Sequence, residues 1–155
     1  MHESPCNPLF LAPWYEHTDL DDIENGHMNV GSYFDIFEKV SWNLWEMMAK
    51  RASLDKQLTM VAGRFYIEHR KELLLDEDWE VWSCLVPNDH NSVLMVHRMK
   101  AANKGIVATC EIAVSLFNLD QRCHEKLPKS LTDIVNEFSI IGLKPRLFNL
   151  INKAT

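Results

Sequence analysis

Glycine is scarce in this sequence, with five among 155 residues. No Gly-rich loop is therefore present to cradle phosphates, and no G-x-S-x-G elbow to present a nucleophilic serine. The seven histidines include no H-x-x-x-H or H-E-x-x-H pair, which argues against a zinc enzyme. The four cysteines, Cys6, Cys84, Cys110 and Cys123, include no C-x-x-C spacing. A chain of this length has no need of disulfide staples, so reduced thiols are expected. Positive charge does not predominate either. The formal net charge is −6 and the pI near 5.6, which gives no electrostatic reason to seek nucleic acid or an anionic membrane. No apolar run approaches the roughly 18 residues of a membrane span. The opening "MHESPCNPLF" lacks the basic and apolar regions of a signal peptide. A cytoplasmic protein without membrane or nucleic-acid partners is expected. No repeat, low-complexity segment or Pro/Gly/Ser-rich linker divides the chain. One domain over residues 1–155 follows, with a short C-terminal helical extension at 129–155.

What is present is a core. The apolar fraction is 46% and the charged fraction 25%, as in ordinary globular domains. "LFLAPWYEHTDL" reads as a first strand, with Pro13 arguing for an edge or a bulge. From Val30 to Arg51 the period is helical. Tyr33, Phe37, Val40, Leu44 and Met47 form one stripe, and Phe34, Ser41, Trp45 and Met48 a second beside it. Asp35, Lys39, Asn43, Glu46 and Lys50 mark a narrower wet face. So wide an apolar arc predicts a helix wrapped by other structure.

After Lys56 the period falls to two. "LTMVAGRFYIEHRKEL", "DEDWEVWSCLVP", "SVLMVHRMKA" and "IVATCEIAVSLFNLD" read as four successive strands joined by short turns. "SLTDIVNEF" reads as a short helix with Ser130 as its N-cap. "GLKPRLFNLINK" reads as one or two further helical turns. Strands and helices do not alternate, so an α+β antiparallel sheet with one long helix packed on it is predicted.

Three stretches carry a resemblance to a known family: "NGHMNVGSYFDIFE", "YIEHRKELLLDEDWEV" and "GIVATCEIAVSLFNLDQR". Their order and spacing, over roughly residues 8–128, resemble the hot-dog-fold acyl-CoA thioesterases. The 4-hydroxybenzoyl-CoA thioesterase-like branch is nearest, and within it the "NGHMN" form is most similar to betainyl-CoA thioesterase-like members. The resemblance implies a long central helix wrapped by a curved antiparallel sheet. It also implies hydrolysis of an acyl-CoA ester without metal or organic cofactor, and a homodimer or dimer of dimers (a homotetramer) with sites between subunits.

The residues fit that chemistry. A thioester carbonyl gains negative charge when attacked, and a helix N-terminus offers unpaired N–H groups and a partial positive charge. The amides of Asn29 and Val30 are placed for this, with Gly26 permitting the turn before them. A carboxylate would serve as general base or nucleophile. The family's usual Asp position holds Ile23 here, which leaves Asp22, the preferred candidate, and Glu24 with its longer arm. Glu111, on a strand with small neighbours Thr109, Ala113 and Ser115, is a supporting acid. Its alternative is a charge on the open sheet face or at a subunit interface.

His27 and Tyr33 are candidate substrate contacts, although His27 more readily reads as a residue holding the turn and Asn29 as the N-cap. His69, Arg70 and Lys71 are candidates for CoA phosphates; Arg98, Lys100 and Lys104 are further cations. Trp14, Tyr33, Phe37 and Trp42 could line the acyl pocket. Cys110 reads as a buried structural thiol. The displaced Asp motivates a rival of another class, a hot-dog module that binds a thioester or a partner without turnover. A hot-dog hydratase is a third possibility, disfavoured because the matching segments are those of hydrolases.

Overall fold

The computed structural model describes residues 14–89, 91–140, 143, 145 and 146, with residues 14–17 in backbone only. In chain order, β1 (Trp14–His17) leads through a 3₁₀ turn (Leu20–Asp22) to β2 (Ile23–Glu24) and β3 (His27–Met28), and then to α1 (Val30–Arg51). There follow β4 (Leu58–His69), β5 (Asp78–Pro87), β6 (Ser92–Ala101), β7 (Gly105–Asn118), β8 (Cys123–His124) and α2 (Lys129–Glu137). The sheet runs β1-β5-β6-β7-β4, antiparallel throughout, with β8 on the end of β7. One long helix packed on this sheet is the hot-dog arrangement.

Helix α1 forms where its apolar residues recur every three or four positions. Tyr33, Ile36, Phe37, Val40, Ser41, Leu44, Trp45 and Met48 are buried, a face wide enough to meet the sheet along its length. Asn29 caps it, its side-chain oxygen accepting from the Gly31 N–H at 2.8 Å. Lys50 and Arg51 fall in the last turn, where the carbonyl end of the dipole favours cations. Phe34 departs from the expected buried stripe: it is 38% exposed. Its ring lies 5.0 Å from that of Phe65 on β4, so it reaches the sheet's edge and not its middle.

Register sorts the strands into two faces. Trp79, Val81 and Leu85 point with Met95, Met99, Cys110, Ile112 and Val114 into the core under α1. Cys84, Val96, Glu111 and Tyr66 lie side by side across the other face. Cys84, Leu94 and Val96 there are nonetheless buried. After α2 the chain meets the free part of β5, where the Leu85 N–H donates to the Phe138 carbonyl at 3.4 Å. Further on, the Arg146 N–H donates to Glu111 at 2.9 Å, so the C-terminal segment reaches this outer face.

One polar cluster pins helix to sheet inside the core. Ser41 donates its hydroxyl to the Phe37 carbonyl at 2.7 Å. Its oxygen is then the acceptor for His97 Nε2–H at 2.9 Å. His97 Nδ1, left as the acceptor, takes the Ser83 hydroxyl at 2.7 Å. His97 is fully buried, and burial pushes its pKa down to about 3.

Several elements differ from expectation at their ends. Residues 21–29, where the sequence marks a turn at Gly26, contain the β2–β3 hairpin. Asn25 and Gly26 turn it with φ of 54° and 86°, the doubly left-handed turn that two-residue hairpins favour. The strand expected to reach Leu73 ends at His69, because residues after it fold back onto β3 through the Met28 N–H and the Leu73 carbonyl at 2.7 Å. Helix α2 is capped by Pro128, without a side-chain cap bond, and Ser130 lies inside it. Lys129 there pairs with Asp133 at 2.6 Å. The first strand is observed as Trp14–His17, on the sheet's edge; Leu9 to Pro13, and most of "GLKPRLFNLINK", lie outside the described residues.

Candidate active site

The β2–β3 hairpin places the polar groups ahead of α1. Asp19 opens the 3₁₀ turn, its carboxylate accepting from the Asp21 N–H at 2.9 Å. Asp22 answers by accepting from the Asp19 N–H at 3.3 Å. The Asp22 carboxylate is thus turned back onto its own loop. Its carbonyl, meanwhile, takes the Asn29 N–H at 2.6 Å. Of the two candidate oxyanion donors, the Asn29 amide is therefore engaged. The Val30 amide has no hydrogen-bond partner among the described residues, and Val30 is 65% exposed.

Glu24 is the carboxylate that reaches the start of the helix. Its Oε2 accepts from Asn29 Nδ2 at 2.8 Å, while Asn29 Oδ1 is held by the Gly31 N–H. One asparagine therefore caps α1 and tethers the acid. Glu24 also stands directly across the hairpin from His27, so the two side chains leave on one face. His27 Nδ1 lies 3.2 Å from the Met28 carbonyl. An N–H must stand between two such groups, which leaves Nε2 as the open acceptor of the neutral ring.

A cavity of about 270 Å³ opens beside the helix start, lined by His27, Met28, Val30, Tyr33, His69, Arg70, Lys71 and Glu72. It brings together the "GHMN" segment and the cationic end of β4, which are some forty positions apart in the chain. Tyr33 forms its floor: it is 4% exposed, its ring meets His69 edge-on at 4.8 Å, and burial raises its pKa. The cations are unequally available. Lys71 turns its ammonium to the Lys104 carbonyl. Lys104 is held by Glu77 at 2.6 Å and by the Glu72 carbonyl at 2.9 Å. Among the described residues the Arg70 side chain is held only through Nε, by Glu68 at 3.0 Å.

Asp22, Glu24, Asn29 and Glu111 do not line this cavity. Glu111 lies on the sheet face opposite α1, 9% exposed, accepting from the Arg146 backbone. Of the aromatic pocket candidates, Tyr33 lines the cavity, Phe37 is core beside His97, and Trp42 is 41% exposed farther along α1. The side chain of Trp14 lies outside the described residues. The Cys110 thiol is pushed up to about 12 by burial and by the neighbouring Glu111, as a structural thiol would be. Among the described residues no group of His, Cys, Asp or Glu could hold a metal ion, and no helix is long and apolar enough to cross a membrane. Sequence reasoning passed over Glu68 and Glu72. The Glu-x-Arg spacing of Glu68 and Arg70, in a stretch whose alternation reads as one strand and so puts both on one face, was the signal for the first.

Residues 14–137 match the family model described as the thioesterase-like superfamily. A hypothetical protein of Staphylococcus aureus in complex with CoA is similar in structure, with a TM-score of 0.73 at 17% identity over 90% of this chain and 92% of that one. YbaW, a probable thioesterase of Escherichia coli, gives 0.68 at 14% identity over 81% and 97%. A 1,4-dihydroxy-2-naphthoyl-CoA thioesterase from Synechocystis gives 0.65 at 10% identity over 80% and 94%. No curated protein sequence matches. At these identities the solved structures speak for the fold alone.

Proposed function

This chain belongs to the thioesterase-like superfamily, and from that premise we propose that it hydrolyses a small or medium acyl-CoA ester to the free acid and CoA. The observation that carries the proposal is the placement of Glu24. Its carboxylate is held by the capping asparagine at the start of α1, beside an open backbone donor and a cationic cavity. Glu24 takes a proton from water as the water oxygen attacks the thioester carbon. The Val30 N–H and the helix dipole stabilise the oxyanion. The C–S bond then breaks, and the CoA thiolate recovers the proton from Glu24. The volume of the cavity suits the thioester and a short acyl chain, with Tyr33 and His69 lining it. Arg70, whose Nη groups have no partner among the described residues, faces the phosphates of CoA. Within the superfamily we take the 4-hydroxybenzoyl-CoA thioesterase-like branch, and its betainyl-CoA thioesterase-like members, as the nearest in chemistry.

The experiment is release of free thiol from a panel of acyl-CoA esters. We expect Glu24→Gln to lower kcat/KM by roughly a hundredfold or more, the range of a lost general base. Asp22→Asn should stay within a few-fold of wild type. Equal loss in both would return Asp22 to the reaction. A second reading rests on the same bonds: both acids are already hydrogen-bonded, as in a module that binds a thioester without cleaving it. CoA binding by a folded protein that turns over no ester would favour that reading and end the first.

A further inference from the structure

We propose that Glu68 and Arg146 are positioning residues, which set how much positive charge Arg70 offers to a phosphate-bearing ligand at the cavity. The inference rests on the thioester reading above and adds to it a control exerted by the C-terminal segment. Each oxygen of Glu68 has its own partner. Oε1 accepts from Arg70 Nε at 3.0 Å. Oε2 is 2.7 Å from Arg146 Nη1 and accepts from the Tyr66 hydroxyl at 3.3 Å. Arg146 Nη1 also donates to the Tyr66 oxygen at 2.9 Å, and the Arg146 backbone is fastened to the buried Glu111.

A carboxylate and a guanidinium prefer two parallel bonds. Arg146 and Tyr66 hold Oε2 and so keep Glu68 to one bond with Arg70. The Nη edge of Arg70 is left for a ligand. The trio as a whole carries one surplus positive charge. Without Arg146, Glu68 can turn Oε2 onto Arg70 Nη, draw the guanidinium into a two-bond pair, and cancel its charge. Without the charge of Glu68, both arginines are released to the ligand.

Two variants should therefore act in opposite directions. Titration with CoA, and with adenosine 3′,5′-bisphosphate as a phosphate probe, should find Glu68→Gln roughly two- to fivefold tighter than wild type, and Arg146→Ala weaker by the same factor, the scale of exposed charge pairs. Arg146→Lys, which keeps the charge, should lie nearer wild type. All differences should fade at about 1 M salt, where charges are screened beyond about 3 Å. A trio that merely supports the fold would weaken binding in both variants. Movement in one direction, or no movement while wild type binds CoA, overturns the proposal. Failure of wild type to bind CoA at all would instead remove the thioester reading, and this inference with it.

Discussion

His97 is neutral in the folded protein because no water reaches it and its neighbours are two hydroxyls. An imidazolium there would lose its hydration without gaining a counter-charge. Its folded pKa, about 3, lies below the ordinary 6.5, so below 6.5 the unfolded chain binds the proton more readily. The contribution of His97 is therefore complete above pH 6.5. It falls as the pH drops toward 3, at up to about 1.4 kcal/mol per pH unit. Urea unfolding midpoints between pH 7 and pH 4 should decline in wild type and flatten in His97→Gln. An equal decline in both would mean that other groups govern the acid limb.

At the scale of the element, Asn29 both caps α1 and donates to Glu24, so under the proposed mechanism one residue would serve stability and chemistry. Asn29→Ala removes the cap, at a cost of about 1 kcal/mol, and frees Glu24 as well. Asn29→Asp separates the two roles. It keeps an acceptor for the Gly31 N–H but replaces the donor to Glu24 by a like charge. We expect Asn29→Asp to melt within a few degrees of wild type while losing most thioester hydrolysis. A variant that keeps both would sever the link between cap and acid. The polar approach to so apolar a helix thus has a physical reason. A helix buried along its flank must still satisfy its N-terminal amides, and the groups that do so stand where a developing oxyanion would also be held.

At the scale of the molecule, β4 is the sheet's open edge. It is 12 residues long and, among the described residues, pairs only with β7. Residues 62–65 on it are exposed, and Phe65 and Phe34 form an apolar pair alongside. Long exposed edges invite another strand, and we expect a second copy of this chain to supply it. Light scattering should report a dimer for wild type and a monomer for Phe65→Glu. A dimer that survives this change would place the interface elsewhere.

Much of this protein was legible along the chain. The bounds of α1 and the four long strands followed from periodicity, since a helix repeats every 3.6 residues and a strand every two whatever lies opposite, and their antiparallel pairing followed from the short turns and the lack of strand-helix alternation. Asn29 in "NGHMN" was also legible as the N-cap of α1. What the tertiary structure alone decided is which groups meet. Asp22 and Glu24 lie two positions apart, yet the hairpin turn sends one carboxylate back to Asp19 and the other to Asn29. Lys104 and Arg70 are both cations of the same neighbourhood, yet Glu77 engages one and Glu68 leaves the other half open. Glu111 could be read as a groove acid or as a charge on the outer sheet face, and only the register decided that it stands on the face away from α1. Periodicity is a property of neighbours in sequence. The partner of a charge is a property of register and turn geometry, where a shift of one residue reverses every side chain.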